Sequence, residues 1–320
     1  MRAVAQAQPN IALIKYWGKR DVDRNLPAVD SLSVTLDSLW TRMSLKFDEQ
    51  LERDTLTVNG SMAPSMLQRV SNCLDLVAGD ERASARVDST SNFPIGAGLA
   101  SSASAFAALV VAADEAAGTR HGTSALARLA GAASGSAARS LFAGFVELTA
   151  GAVEIEVRNI ADCASWPLEV IVAVTAEEPK PIGSTEAMIR SAETSPFYSS
   201  WLEQQDGDLE AARDAVQQKD FAKLATVAEH NCLKMHSVMW ASRPPIVYWN
   251  QATLACMQTI RTLQADGHGV FFTIDAGPQL KAVCLPEASD IVRVALEQTS
   301  GVIRTLQSSL GPGARLLEQE

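Results

Sequence analysis

Asn92-Phe93-Pro94-Ile95-Gly96-Ala97-Gly98-Leu99-Ala100-Ser101-Ser102-Ala103-Ser104 decides how this chain is read, because it runs straight into an apolar helical segment, Ala105 to Ala117. Glycines at 96 and 98 permit backbone conformations closed to other residues, and the serines that follow are N-cap candidates for the helix. Bare N–H groups at such a helix start, with its dipole, favour a negative charge, so the stretch reads as a phosphate cradle. It is not a Walker A loop, since no Gly-Lys-Ser/Thr closes it, and Ser101 stands where a dinucleotide fingerprint needs its third glycine. Taken alone, it leaves open a plain Gly-rich turn ahead of a core helix.

The 320 residues around this stretch, 47% hydrophobic and 20% charged, have the balance of an ordinary globular protein long enough for two lobes. The longest apolar run, Ala105 to Ala113, falls short of the roughly 18 residues of a membrane span, and the N-terminus lacks the apolar core of a signal peptide. A cytoplasmic protein is expected. A net charge of −10 argues against nucleic acid or an anionic membrane as partner, so an anionic ligand requires a local positive pocket. Five scattered cysteines without a C-x-x-C fit reduced thiols, and Cys232/His236, alone at helical spacing, lacks the second pair of a zinc site.

Upstream, Ala3 to Tyr16 reads as extended and broken by Pro9, ending in Lys15-Tyr16-Trp17-Gly18-Lys19-Arg20-Asp21. This dense cationic cluster is either a solvated strand end or an anion clamp. Leu32 to Leu36 and Met43 to Phe47 alternate with period two, as strands with one buried face do, and Thr55 to Val58 runs into the hairpin signal Asn59-Gly60. Pro64 to Val77 has helical spacing with a glycine stop. Downstream, Ser134-Gly135-Ser136 with Arg139 is a second small-residue turn; its arginine is either a surface charge or a planar fork for carboxylate or phosphate. A composition shift at Ala164 to Pro167 marks a lobe boundary, giving lobes 1–165 and 166–320. Beyond it come a strand, helices over Glu186 to Ser191, Leu209 to Gln218, Phe221 to Val238 and Val247 to Ala265, then strand, strand, helix, strand. That order predicts an α+β lobe with antiparallel strands and helices on one face. Within it, Val270 to Ile274 delivers Asp275 to an Ala-Gly-Pro turn, where a carboxylate either caps its own turn or stands at a cleft mouth for proton abstraction.

Taken together, Pro9 to Asp21, Leu32 to Leu36, the opening loop, Ser134-Gly135-Ser136 with Arg139, and Asp275-Ala276-Gly277-Pro278 resemble the diphosphomevalonate decarboxylase family, in the family's order and over nearly the whole chain. The loop alone matches the wider superfamily of small-molecule kinases that includes galactokinase, homoserine kinase, mevalonate kinase and phosphomevalonate kinase. The N-terminal motif and the Asp-Ala-Gly-Pro turn narrow it. The pattern departs at Gln279, at Asp30-Ser31, at Ile95 and at Thr185, where an arginine is common.

The resemblance implies a two-lobed α+β small-molecule-kinase fold, with a ribosomal S5 domain 2-like N-terminal lobe and a ferredoxin-like C-terminal lobe. It implies ATP-dependent decarboxylation of (R)-5-diphosphomevalonate to isopentenyl diphosphate, CO2, ADP and phosphate through the 3-phosphorylated alcohol, with Mg2+ and a homodimer. Its catalytic residues map to Asp275, Lys15 and Arg139. Substrate contacts map to Tyr16, Lys19, Ser134, Gly135, Ser136, Arg139, Ser184, Thr185 and Met188. ATP contacts map to Gly96, Ala97, Gly98, Leu99, Ala100, Ser101, Ser102 and Ser104, with Mg2+ held mainly by the ATP phosphates and Ser102 as the candidate protein ligand. A mevalonate 3-kinase and a 5-phosphomevalonate decarboxylase are the nearest alternatives.

Overall fold

The computed structural model describes residues 2–95, 98–178 and 180–318. The first part runs β1 (Arg2–Ala7), β2 (Asn10–Ile14), β3 (Lys19–Asp21), β4 (Leu26–Pro27), β5 (Ser31–Thr35), β6 (Thr41–Phe47), β7 (Thr55–Val58), β8 (Ser61–Met62), α1 (Pro64–Ala78), β9 (Ala85–Ser91), α2 (Ser101–Ala117), α3 (Thr123–Ala133), a 3-10 turn (Ala137–Leu141), β10 (Phe145–Ala150) and β11 (Ile155–Ala161). The second runs β12 (Glu169–Val174), α4 (Ser184–Thr194), α5 (Tyr198–Gln218), α6 (Phe221–Trp240), α7 (Gln251–Ala265), β13 (Val270–Ile274), β14 (Leu280–Cys284), a 3-10 turn (Pro286–Ala288), α8 (Ser289–Glu297), β15 (Arg304–Ser309) and β16 (Arg315–Leu316).

Pro9 separates β1 from β2, and the two strands enter different sheets, because proline cannot donate to a continuing ladder. One sheet has the order β16-β1-β6-β9-β7-β8. Its apolar face packs Leu45 and Val87 against Leu74 of α1, Leu109 of α2 and Leu126 of α3. Helix α2, apolar on nearly every side, is the buried centre of this lobe. Asn59 and Gly60 both take positive φ, 48° and 81°, as the tight hairpin between β7 and β8 requires.

A second sheet, β11-β10-β5-β2, lies between the lobes. Its Leu13, Val34 and Phe145 share one apolar cluster with Val172, Leu209 and Phe271 of the C-terminal part. Burying each such side chain contributes about 1.5–3 kcal/mol, so the lobes are welded along this layer. Strand β5 is covered on both faces rather than one: Ser31 meets Arg139, and Thr35 Oγ1 donates to Phe142 O at 2.8 Å.

The third sheet is antiparallel with the order β13-β14-β12-β15, the ferredoxin-like arrangement. Its helices do not keep to one face. Ile171, Phe272 and Ala282 pack with Ile260 of α7 and Val292 of α8. Val170, Phe271 and Val283 meet Leu209 of α5, Leu224 of α6 and the second sheet. Strands buried throughout, such as Val-Phe-Phe-Thr-Ile, need cover on both sides.

Two local expectations are corrected. The serines do not cap α2: Ala100, left-handed at φ 54°, holds the N-cap position without a side-chain bond, and Ser101 and Ser102 lie in the first turn. Helix α4 begins at Ser184 rather than Glu186, and helix α5 begins well before Leu209 because its start is held by Trp201 Nε1 donating to Trp17 O at 3.0 Å and Gln205 Nε2 donating to Lys15 O at 2.8 Å. The chain then returns to the first sheet, where Leu316 pairs with Ala5 of β1.

Candidate active site

Strand β13 ends at Ile274 and strand β2 at Ile14, so the two strands bring the residues that follow them, Asp275 and Lys15, to one point although 260 residues separate them. Lys15 Nζ donates to Asp275 Oδ1 at 2.6 Å and to Ala12 O at 2.8 Å. The lysine backbone is clamped as well: its N–H donates to Asn231 Oδ1 at 2.8 Å, and its carbonyl accepts from Gln205. Asn231 in turn donates to Gln205 Oε1 and Asp208 Oδ2, so a buried amide network of α5 and α6 fixes where Lys15 stands.

A second ammonium, Lys281 Nζ, lies 3.2 Å from Asp275 Oδ2. Among the described residues Oδ2 has no hydrogen-bond partner, and Lys281 holds it by charge. Burial alone would raise the Asp275 carboxyl, but the two lysines outweigh it and hold the group well below the usual carboxylate range. Lys180, just ahead of α4, donates to Ser184 Oγ at 2.6 Å and Ala276 O at 3.0 Å. Burial brings Lys180 down to about 8, against the pull of Asp275.

Arg139, 2% exposed, sits in the 3-10 turn opposite. Its Nε and Nη2 donate to Asn10 Oδ1 at 3.3 and 3.2 Å, and Nη1 donates to Ser31 Oγ at 2.5 Å. Of five N–H donors, two remain for a ligand. Burial lowers the guanidinium to about 10, so it stays charged at neutral pH. Tyr16 lies beside it, its ring centroid 5.9 Å from the guanidinium carbon; burial raises its hydroxyl to about 12, and Oη has no hydrogen-bond partner among the described residues. A Cβ on Gly135 would fall 2.2 Å from that oxygen, so glycine is what lets the ring lie there.

These groups face a cleft of about 1050 Å³. Lys15, Tyr16, Lys19, Ser134, Gly135, Ser136, Arg139, Ser184, Thr185, Met188, Asp275, Gly98, Ala100, Ser101 and Ser102 all line it. Leu99 and Ser104 do not: Leu99 is packed in the core with Phe93, and the buried Ser104 Oγ bonds to Thr41 Oγ1 at 2.8 Å. Gly96 and Ala97 lie outside the described residues. Gly98 has φ +81°, and a Cβ there would meet Gly277 Cα at 2.9 Å, so the loop and the Asp275 turn touch backbone to backbone.

One end of the cleft is cationic. Lys19 Nζ donates to Thr185 Oγ1 at 3.2 Å, and Arg69 of α1 donates to Ala133 O at 3.3 Å. Neither is paired with a carboxylate among the described residues; burial lowers both, Lys19 also through Arg69. Arg69 of α1 thus adds a cation from another element at the end where Lys19 meets Thr185. Among the described residues no three or more His, Cys, Asp or Glu side chains converge to hold a metal. The hydroxyl of Ser102, in the first turn of α2 and 3.4 Å from that of Ser134 after α3, suits a hard cation arriving on phosphate oxygens.

Sequence reading missed Lys281, Lys180, Arg69, Asn10, Ser31 and Asn231. Lys281 did carry a signal, as the lone charge in the apolar strand Leu-Lys-Ala-Val-Cys. Gln279 is structural here: it accepts from Thr175 N at 2.6 Å and donates to Ala176 O at 2.5 Å, latching β14 to the end of β12. Cys232 and His236 face the backbone of Ile274, one residue before Asp275, and carry no metal geometry among the described residues.

Residues 7–158 match the family model of the diphosphomevalonate decarboxylase-like N-terminal domain, and residues 170–307 that of the mevalonate 5-diphosphate decarboxylase C-terminal domain. A diphosphomevalonate decarboxylase of Candida albicans is 32% identical, covering 97% of this chain and 96% of that protein. One of Saccharomyces cerevisiae is 35% identical over 89% of this chain and 78% of the relative. A solved structure described as MDDEF in complex with MVAPP, AMPPCP and magnesium superposes with a TM-score of 0.93 at 34% identity, covering 100% of this chain and 99% of that one. Mevalonate diphosphate decarboxylase from Staphylococcus aureus superposes with a TM-score of 0.93 at 33% identity, over 99% and 98% of the two chains.

Proposed function

Because the chain belongs to the diphosphomevalonate decarboxylase family, we propose that the cleft residues described above divide the work of that reaction among them. The enzyme carries out the ATP-dependent decarboxylation of (R)-5-diphosphomevalonate to isopentenyl diphosphate, CO2, ADP and phosphate. The observation that carries the residue assignment is the Asp275 carboxylate clamped between Lys15 and Lys281, in backbone contact with the phosphate loop. The lobe division at 165/166 is supported by the two matched segments, 7–158 and 170–307.

The substrate is a tertiary alcohol whose carboxylate lies two carbons from the hydroxyl-bearing carbon, so the hydroxyl must first become a leaving group. In this reading Asp275 accepts the 3-hydroxyl as donor and aims its oxygen at the γ-phosphorus. So strongly stabilised a carboxylate is a weak base, which argues against early deprotonation. A loose phosphoryl-transfer transition state needs little alkoxide character, and the proton can pass to Asp275 as the P–O bond completes. Lys15 fixes the carboxylate and offsets charge developing beside it. The loop N–H groups and Lys180 face the polyphosphate, and Lys19 and Arg69 the substrate's diphosphate. Ser102 would offer a protein hydroxyl to Mg2+, which when bound would neutralise charge on the nucleotide phosphate oxygens.

The C3–O bond then breaks with its electron pair going to phosphate, and the pair of the C–C bond to the carboxylate forms the alkene as CO2 departs. Arg139 holds the carboxylate until that moment through its two remaining N–H donors. An assay of ADP and CO2 with the 5-phosphate and 5-diphosphate of mevalonate side by side tests the assignment. ADP without CO2 would mean a 3-kinase, and preference for the monophosphate would move the substrate one phosphate down.

Lys180 sets an expected pH dependence. With its pKa near 8, its ammonium is present at neutral pH and is lost as pH rises through that value, so kcat/KM for ATP should fall on the alkaline side. In Lys180→Arg the charge persists and the limb should move upward by more than one pH unit. An unchanged limb in that variant assigns it to another group. The same reading carries a cytoplasmic location and a homodimer; no described helix is long and apolar enough to cross a membrane, and sedimentation measures the oligomeric state.

A further inference from the structure

Lys281 is the one cation in β14, 0% exposed, and it pairs in register with Thr273, two residues before Asp275. Burying an ammonium carries a large desolvation cost unless fixed partners surround it. Its partners belong to different parts of the molecule. Nζ donates to Gly98 O of the phosphate loop at 2.7 Å and lies 3.2 Å from Asp275 Oδ2. Lys15 already holds Oδ1, so Lys281 sets a second positive charge beside the other oxygen. What it adds is geometry: with a cation on each oxygen the carboxylate plane cannot rotate, and the same Nζ fixes the loop carbonyl.

We infer that Lys281 is a positioning residue that ties the Asp275 carboxylate to the nucleotide loop, so that base and phosphate cradle are set as one unit. The inference rests on the ATP-dependent decarboxylase reading of the cleft. The contact of Gly98 with Gly277 supports it independently, because it places the two backbones in direct touch just where the ammonium bridges them. The other titratable or charged groups facing Asp275 are Lys15 at the end of β2, Lys180 ahead of α4, Arg139 in the 3-10 turn, and Cys232 and His236 on α6. None of them reaches the loop carbonyl by a hydrogen bond shown among the described residues.

Two variants separate the tether from the charge. Lys281→Met removes both and should raise the KM for ATP and lower kcat, each about tenfold or more, leaving the KM for diphosphomevalonate within twofold. Lys281→Gln keeps an N–H donor, one bond shorter, on the side of Gly98 O but brings no charge to Asp275, so its KM for ATP should rise less than in Lys281→Met while kcat falls. Calorimetric ATP binding and thermal melts accompany both. Kinetic constants within twofold of wild type in Lys281→Met overturn the inference, as does an equal rise in both KM values. Should Lys281→Met fail to fold, Lys281→Gln decides, and wild-type kcat in that variant overturns the inference. Wild-type enzyme that consumes no ATP with diphosphomevalonate would instead refute the underlying reading.

Discussion

Asp275→Asn is expected to fold and to lose turnover by about 10²–10⁴, the range associated with a positioned acid–base group. The asparagine amide has the shape of the carboxylate but accepts through one oxygen only, and it cannot take the hydroxyl proton as phosphoryl transfer completes. It also leaves two buried ammonium groups, Lys15 and Lys281, facing a neutral group. Breaking a buried pair by removing one partner costs about 3–5 kcal/mol; the Asp275 side chain is 22% exposed to the cleft, which tempers that figure. A lower melting temperature with the cooperative transition retained is therefore part of the expected result. Single-turnover formation of ADP isolates the chemical step. Near wild-type kcat would remove Asp275 from it.

For Arg139→Gln a loss of about 10²–10³ is expected, the scale for removing one preorganised electrostatic partner. The loss should fall on the second half of the reaction. Glutamine ends near the position of Nε, so it can still donate to Asn10 Oδ1 while the bond to Ser31 is lost, and Asn10 Nδ2 still donates to Ser136 O and Ser140 Oγ, so the turn should keep its shape. It cannot offer a charged fork to the substrate carboxylate, and that interaction matters most while the C–C bond breaks. ADP should therefore form faster than CO2, with a 3-phosphorylated alcohol accumulating in a pre-steady-state burst visible by phosphorus NMR. ADP and CO2 released in step at a uniformly reduced rate would place the contribution of Arg139 in substrate binding or phosphoryl transfer instead.

Much of the fold could be read from periodicity. The alternation of Met43 to Phe47, the spacing of Pro64 to Val77 and the Asn59-Gly60 turn are local signals, and the structure places β6, α1 and the hairpin there. The elements misread share one property. The apolar stripe of the first turns of α5, Tyr198, Trp201 and Leu202, is interrupted before Leu209 by the inward amide Gln205, whose partner is a backbone carbonyl 190 residues away. Strand β16 is two residues long and exists only because β1 offers it an edge. Ser104, which looked like a loop hydroxyl, is turned inward by Thr41 on the neighbouring strand.

The candidate site divides in the same way. The sequence by itself determined its chemical inventory: a glycine-serine loop opening a buried helix, a lysine at a strand end, an arginine in a small-residue turn and an aspartate at a glycine turn. Such features are legible because backbone conformation and side-chain chemistry are properties of neighbouring residues. Only the tertiary structure decided that Lys15 and Lys281 take opposite oxygens of Asp275, that Gly98 rests on Gly277, and that Arg69 stands near Lys19. Those contacts join residues distant along the chain, 260 positions apart for Lys15 and Asp275 and 183 for Lys281 and Gly98. Their distances are set by sheets and helices packed between them, and no local pattern encodes where a folded chain brings two remote side chains together.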